Sequence, residues 1–382
     1  MNYRIFPKTG EKVSLLGFGC MRLPVLDGDH TKIDEVEAVR MIRYAIDAGV
    51  NYVDTAYMYH GGKSEVLLGK ALKDGYREKV FVADKLPLMF LKTSEDVPRL
   101  LEEQLTRLDM PHIDMYLLHD VREKSWEKVP KLKVLDILKE KRAQGLIRHI
   151  GFSYHGETTA FFKEVIDAFP WDFCQIQLNY MDTALQAGVE GLRYAASKGV
   201  PVVIMEPLKG GKLTDVLPEP IQRYWNDIDV KRSPADWAFR WIADFPEVLT
   251  VLSGMSTFAQ VEENIQILSN ADANALTKEE HSIIGKVADA YNKLTPYACT
   301  ACKYCIPCLV GIDIPGLISL RNEATIFESA EKVSFSIRNF VRPVPSTCTA
   351  CRQCEEKCPQ HLPIADIMAE SAAMFEQPKQ SS

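Results

Sequence analysis

The sequence predicts an α/β protein: a closed (β/α)8 TIM barrel over residues 1–294, followed by a small, mostly helical, cysteine-rich domain over residues 295–382. Three observations predict it. From Leu15 onward, short apolar runs alternate with amphipathic segments of helical length, eight times over. The runs are apolar on both faces, as strands of a parallel sheet covered by helices must be. Eight of the ten cysteines fall within residues 299–358, at short regular spacings.

Residues 3–16 read as two short strands about a turn at Lys8-Thr9-Gly10, leading into the first core strand, 15–19. Asp34 with Glu37 resembles a capping box, Val39, Ile42 and Ile46 recur at helical spacing, and Gly49 supplies a left-handed stop. Strand 52–54 comes next. The alternation then runs helix 64–73, strand 79–85, helix 94–108, strand 113–119, helix 130–143, strand 149–153 and helix 158–168. It continues with strand 173–178, helix 187–198, strand 200–205, helix 234–245, strand 248–253 and helix 259–268. Eight strand-helix units close into a barrel. A polar amphipathic helix, 277–294, ends at Thr295-Pro296, which marks the domain boundary. A doubly wound open sheet would alternate in the same way. Gly17-Phe-Gly19, however, is followed by Cys20 and Met21, without the third glycine of a Rossmann pyrophosphate turn.

Composition limits the partners. Hydrophobic residues at 46% and charged residues at 25% describe an ordinary globular chain. A formal charge of −7 argues against a nucleic-acid partner, which demands a basic face. The N-terminus lacks an apolar leader, and nowhere do about 18 apolar residues run together, so no membrane span is expected and the location is read as cytoplasmic.

In a barrel of this kind the chemistry gathers at the C-terminal ends of the strands. Residues 51–60, NYVDTAYMYH, leave a strand tip with Asp54 and Tyr59 together; the next two strands end at Lys85 and at His119. Singly, each has a plain explanation: an aspartate capping a helix, a tyrosine anchoring a loop, a solvated lysine, a satisfied half-buried histidine. Together they put four ionisable groups on one rim.

At this point the chain resembles the aldo-keto reductase superfamily, through VDTAYMYHGGKSEVLLGKAL, KVFVADKLP, IDMYLLHD, GFSYH, CQIQLNY, EPLKGGKL and SGMSTFAQVEEN in order, over roughly residues 1–290. The resemblance implies that Tyr59 is the general acid protonating a carbonyl oxygen as hydride arrives from NADP or NAD in its reduced form, with Lys85, Asp54 and His119 completing the tetrad. An ammonium beside a phenol favours the phenolate and eases proton transfer; Asp54 would hold Lys85, and neutral His119 would orient the substrate oxygen. By the same resemblance Ser153 and Gln175 bond the nicotinamide carboxamide, and the loop of Glu206, Leu208 and Gly210 borders the pyrophosphate. Gly254 and Ser256, followed by Gln260, Glu263 and Asn264, hold the adenosine end. Two positions depart from the family pattern: Tyr154 replaces its usual asparagine, and Gln260 stands where many members carry an arginine for the 2'-phosphate, which leaves NADPH against NADH open.

The tail carries Cys299-x-x-Cys302-x-x-Cys305-x-x-Cys308 and Cys348-x-x-Cys351-x-x-Cys354-x-x-x-Cys358-Pro359. The second is the bacterial ferredoxin run, in which the fourth cysteine ligates the other cluster. Crossed ligation is therefore expected: Cys299, Cys302, Cys305 and Cys358 on one 4Fe-4S cluster, and Cys348, Cys351, Cys354 and Cys308 on the second. Residues 312–340, between the runs, read mostly as helix, giving a ferredoxin-like module with helical additions. Two zinc sites are the metal alternative. Cys20 and Cys174 read as small core hydrophobes.

The sequence thus points to a cytoplasmic NAD(P)H-dependent oxidoreductase of the iron-sulfur branch of the aldo-keto reductases, reducing a small-molecule carbonyl (aldehyde, ketone or quinone), with a redox protein as a possible partner of the clusters. A redox adaptor using the barrel as a scaffold, and a zinc-stabilised non-catalytic binding protein, are the alternatives.

Overall fold

The structure is a computed structural model that describes residues 1–214, 217–299, 302–327, 333–334, 336–337 and 341–376. It divides into two compact units, residues 1–213 with 232–281, and residues 214–231 with 282–382.

In the first unit, β1 (Tyr3–Ile5) and β2 (Lys12–Ser14) form the expected antiparallel hairpin. Eight parallel strands follow: β3 (Leu16–Gly19), β4 (Tyr52–Asp54), β5 (Phe81–Pro87), β6 (Ile113–Val121), β7 (Ile147–Tyr154), β8 (Phe173–Gln177), β9 (Val202–Met205) and β10 (Val248–Gly254). They close as a barrel in chain order, with β10 returning to pair with β3, Gly254 opposite Gly19. Phe6 and Val13 of the hairpin region share one apolar cluster with Tyr52, Phe81, Ala83, Met115, Leu117, Phe173 and Val203. The hairpin therefore packs against the barrel's filled interior at one end, and in barrels of this kind the chemistry gathers at the opposite, C-terminal end of the strands.

The helices that place the site are α1 (Glu35–Asp47), α2 (Lys63–Ala71) and α3 (Asp96–Leu108). Asp34 caps α1 by accepting from the Glu37 N–H at 3.1 Å, and Gly49 takes φ +99° just past its end. Gly69 of α2 is required by close approach: a Cβ there would lie 2.4 Å from the carbonyl oxygen of Leu108 in α3.

Three sequence expectations are altered. Strand 79–85 runs instead over Phe81–Pro87 and strand 113–119 extends to Val121, so Lys85 and His119 each lie two residues before the end of their strand. The helix expected over 130–143 is broken into Lys128–Lys131 and Val134–Ala143 by Lys133 at φ +53°. In one continuous helix Val129 and Val134 would point about 140° apart; the break lets both be buried.

The second unit has its own core, Ile312, Ile314, Leu317, Ile318, Ile337, Ile364, Ile367, Met368 and Phe375. Helix Ile314–Ile326 covers the first part of the expected helical stretch 312–340; residues 328–332, 335 and 338–340 lie outside the described residues. Among the described residues no helix is long and apolar enough to cross a membrane.

Candidate active site

Parallel pairing brings the four rim residues together. Asp54 lies opposite Ala83, two residues before Lys85, and Pro87 opposite His119, so β4, β5 and β6 present Asp54, Lys85 and His119 at one end. Tyr59 opens the short 3-10 turn Tyr59–Gly62 beyond β4.

The Lys85 ammonium is fully buried and donates to Asp54 Oδ1 at 2.7 Å, to the Thr55 carbonyl at 2.6 Å and to Tyr59 Oη at 3.3 Å. Burial would by itself lower its pKa, but Asp54 and Tyr59 turn the shift upward, so the ammonium stays charged. Burial raises the Asp54 carboxyl, and Lys85 opposes that rise. The Tyr59 phenol is likewise pushed up by burial, with Lys85 pulling the other way. The ammonium therefore offsets desolvation at Tyr59, whose phenol stays above its ordinary value. His119 stands edge-on to Tyr59, ring centroids 6.3 Å apart. Burial, Lys85 and His155 hold its pKa well below the ordinary value, so it is neutral, as its expected role requires.

Around this group lie the residues expected to meet a dinucleotide. Ser153 Oγ is 3.3 Å from His155 Nε2, and Gln175 Nε2 donates to Met205 Sδ at 3.4 Å. Gln175 Oε1 and His119 Nδ1 are buried with no hydrogen-bond partner among the described residues. Tyr154 is turned away into an aromatic cluster with Phe161 and Phe162, and its hydroxyl donates to the Thr158 carbonyl. After β9, Glu206 at φ +54° and Gly210 at φ +69° fold the loop back, with Leu208 between them. Arg22 reaches across this loop: its guanidinium is 3.6 Å from Glu206, its stem lies on Gly254, and its carbonyl accepts from Ser256 Oγ at 2.8 Å.

Beyond β10, Asn264 donates to Ser253 Oγ at 3.0 Å, and Glu263 accepts from Ser233 Oγ at 2.6 Å. Gln260 is engaged locally: its Oε1 accepts from the Ser256 and Thr257 N–H groups while Thr257 Oγ1 accepts from the Gln260 N–H, a reciprocal cap on helix Phe258–Ser269.

The sequence profile of the Aldo/keto reductase family matches residues 15–289. The chain belongs to that family. Among aldo/keto reductase relatives, L-galactose dehydrogenase of Arabidopsis thaliana is 28% identical over 315 residues, covering 76% of this chain and 96% of its own. NADH-specific methylglyoxal reductase of Escherichia coli K12 is 26% identical over 322 residues, covering 70% and 95%. The holo form of an aldo-keto reductase from Bacillus halodurans superposes with TM-score 0.63 at 26% identity, covering 75% and 96%. This aldo/keto reductase is thus an oxidoreductase on a (β/α)8 barrel.

Sequence reasoning missed three residues in and around the candidate site. His155 stands in the quoted run GFSYH, and burial lowers its pKa to about 4. Arg22 stands three residues beyond Gly19 of β3, a cation at the barrel mouth. Asp84, next to Lys85, faces outward between β5 and the helices, against Glu65.

In the second unit the eight clustered cysteines line two cavities. One is bordered by Cys299, Cys302, Cys305 and Cys358 with Ile314, Ile318 and Leu362. The other is bordered by Cys305, Cys308, Cys348, Cys351 and Cys354 with Ile312, Ile364 and Met368. Among the described residues no three His, Cys, Asp or Glu side chains are grouped closely enough to hold a single metal ion. Cys20 and Cys174 are buried in the barrel, as small core hydrophobes.

Proposed function

We propose that the protein reduces a small-molecule carbonyl with Tyr59 as the proton donor, using NADPH or NADH. The observation that carries this reading is the chain Asp54–Lys85–Tyr59, buried at the ion pair and half-buried at the phenol, with the ammonium 2.7 Å from the carboxylate and 3.3 Å from the phenol oxygen. Reduced nicotinamide, when bound, supplies the hydride. Asp54 fixes the ammonium in place; Lys85 stabilises the negative charge that develops on Tyr59 Oη as its proton leaves; neutral His119 bonds and orients the substrate oxygen.

The residues present fit the cofactor. The unpaired Oε1 of Gln175 is a ready acceptor for a carboxamide N–H, beside the Ser153 hydroxyl. Glu206, Leu208 and Gly210 would border the pyrophosphate, with Gly254, Ser256, Glu263 and Asn264 toward the adenosine. Gln260, spent on its helix cap, offers no charge to a 2'-phosphate, which favours use of NADH alongside NADPH.

For residues 295–382 we propose the iron-sulfur domain, with residues 1–294 as the reductase barrel in a cytoplasmic enzyme. The cavity linings support crossed ligation: Cys299, Cys302 and Cys358 border one cavity only, Cys308, Cys348, Cys351 and Cys354 the other only, and Cys305 lies between them and borders both. Thiolates with apolar cover are the donor set a 4Fe-4S cluster takes, and a group of that size suits a cavity better than a point where four ligands converge on zinc. Such clusters supply one-electron transfer, to a redox protein partner, or rigidity.

The test is steady-state oxidation of NADPH and NADH against aldehydes, ketones and quinones, with Tyr59→Phe alongside. Loss of turnover in Tyr59→Phe with retained cofactor binding is expected. A wild-type rate in that variant removes the proton-donor role.

A further inference from the structure

On β5 the side chains alternate: Lys85 points to the barrel axis, while its neighbour Asp84 points out into the dry layer beneath α2 and α3. Asp84 and Glu65 of α2 are both 0% exposed. One oxygen of each carboxyl is satisfied: Asp84 Oδ1 accepts from the Lys85 N–H at 2.8 Å, and Glu65 Oε2 accepts from Arg107 Nη1 at 2.8 Å. Asp84 Oδ2 and Glu65 Oε1 make no other well-formed hydrogen bond among the described residues; the two carboxyls are within hydrogen-bond contact of each other, and the Gln104 amide lies against Glu65 as a further donor. Two ionised carboxylates cannot bond; one proton between them satisfies both oxygens at once.

The charges around the pair require the same proton. Arg107 from α3 neutralises Glu65, and it also serves Glu103. Lys85 is already committed to Asp54. Tyr116 from β6 and Cys20 beyond β3, the other titratable groups facing the pair, are both uncharged. Gln104 of α3 joins the layer, donating to the Lys85 carbonyl at 3.1 Å and accepting from Tyr116 at 2.6 Å. An ionised Asp84 would thus be a second carboxylate facing one guanidinium in a water-free layer.

We propose that Asp84 is a positioning residue that works as a protonated acid: it donates to Glu65, accepts from the Lys85 N–H, and keeps an extra negative charge away from the Lys85 ammonium. Burial and the Glu65 carboxylate hold its pKa far above the ordinary aspartate value, in accord with this. When alkali removes the proton, the new carboxylate competes with Tyr59 for the field of Lys85 and makes the phenol a weaker acid. The protonation stands independently of the catalytic assignment; the effect on rate rests on Tyr59 as proton donor.

The test uses the full chain with isotope-labelled aspartate carboxyls and infrared difference spectroscopy at neutral pH, beside kcat–pH profiles of wild type and Asp84→Asn, an isosteric change whose amide still donates to Glu65. A protonated-aspartate carbonyl band in wild type that disappears in Asp84→Asn is expected, together with an alkaline limb of kcat displaced upward by Asp84→Asn, so that kcat beyond the wild-type midpoint rises several-fold. Absence of the band in wild type, or its survival in Asp84→Asn, overturns the shared proton without need of an active variant. An unmoved alkaline limb overturns the coupling to Lys85. Normal turnover by Tyr59→Phe would strike at the proton-donor assignment and leave the band in place, so the two failures are distinguishable.

Discussion

Lys85→Met removes one charge from the candidate site and changes side-chain volume little. With the ammonium 3.3 Å from Tyr59 Oη, and an effective dielectric constant near 20, the attraction for a full phenolate is about 5 kcal/mol. A proton half transferred in the transition state realises about half of it, which corresponds to roughly 10²-fold in kcat. The same change strands Asp54, 3% exposed and 2.7 Å from the missing ammonium, at a stability cost of about 3–5 kcal/mol if it remains ionised. A slow enzyme and a partly unfolded one must therefore be told apart. The double variant Lys85→Met with Asp54→Asn separates them: it removes the stranded charge, so thermal stability returns while kcat does not. The assay follows loss of reduced-nicotinamide absorbance at saturating carbonyl substrate, below the unfolding midpoint of every variant. If the double variant turns over within about threefold of wild type, a margin below 1 kcal/mol, then Lys85 does not act on Tyr59 as argued.

Three further outcomes follow from the structure. Gly69→Ala forces a Cβ to within 2.4 Å of the Leu108 carbonyl oxygen, so α2 and α3 must separate, at a cost of about 1–3 kcal/mol read as a lower Tm. The raised pKa of Asp84 means that the folded chain holds a proton which the unfolded chain releases near pH 4; the stability that this proton confers is complete below that pH and is lost as pH rises toward the folded value, by up to about 1.4 kcal/mol per unit. Asp84→Asn flattens that slope in urea titrations taken between about pH 5 and 8. On crossed ligation, Cys358→Ser and Cys302→Ser each lower iron and acid-labile sulfide of the anaerobically purified protein from about eight to about four atoms per chain; zinc in place of iron would refute the clusters.

The barrel was legible because its strands are buried on both faces, so each appears as an apolar run, and because Asp34 and Gly49 mark their helix ends with local chemistry. The helix break at Lys133 was not: nothing in KLKVLD forbids a helix, and the kink arises from burying Val129 and Val134 together. Gln260 carried a readable signal that pointed elsewhere, since Thr257-x-x-Gln260 is the pattern of a capping box, and the cap is what forms. Asp84 could not have been read from the sequence. Its role depends on Glu65 and Arg107, on two other elements that the fold brings against it, and VADK alone looks like an apolar strand running into two charged residues.

The barrel is closed by its first and last strands: the Val251 N–H and Thr250 Oγ1 both donate to the carbonyl of Leu15, in the latter case across 235 residues. A ribosome adding 5–20 residues per second needs roughly 10 to 50 s to make that much chain. Throughout that interval the Leu16–Gly19 strand has an unpaired backbone edge and an apolar sequence, a template for pairing with other nascent chains. Soluble yield from a fast heterologous host is therefore set by chaperone supply and elongation rate during that wait, and slowed translation or co-expressed holdase should raise it even though the finished barrel is unchanged.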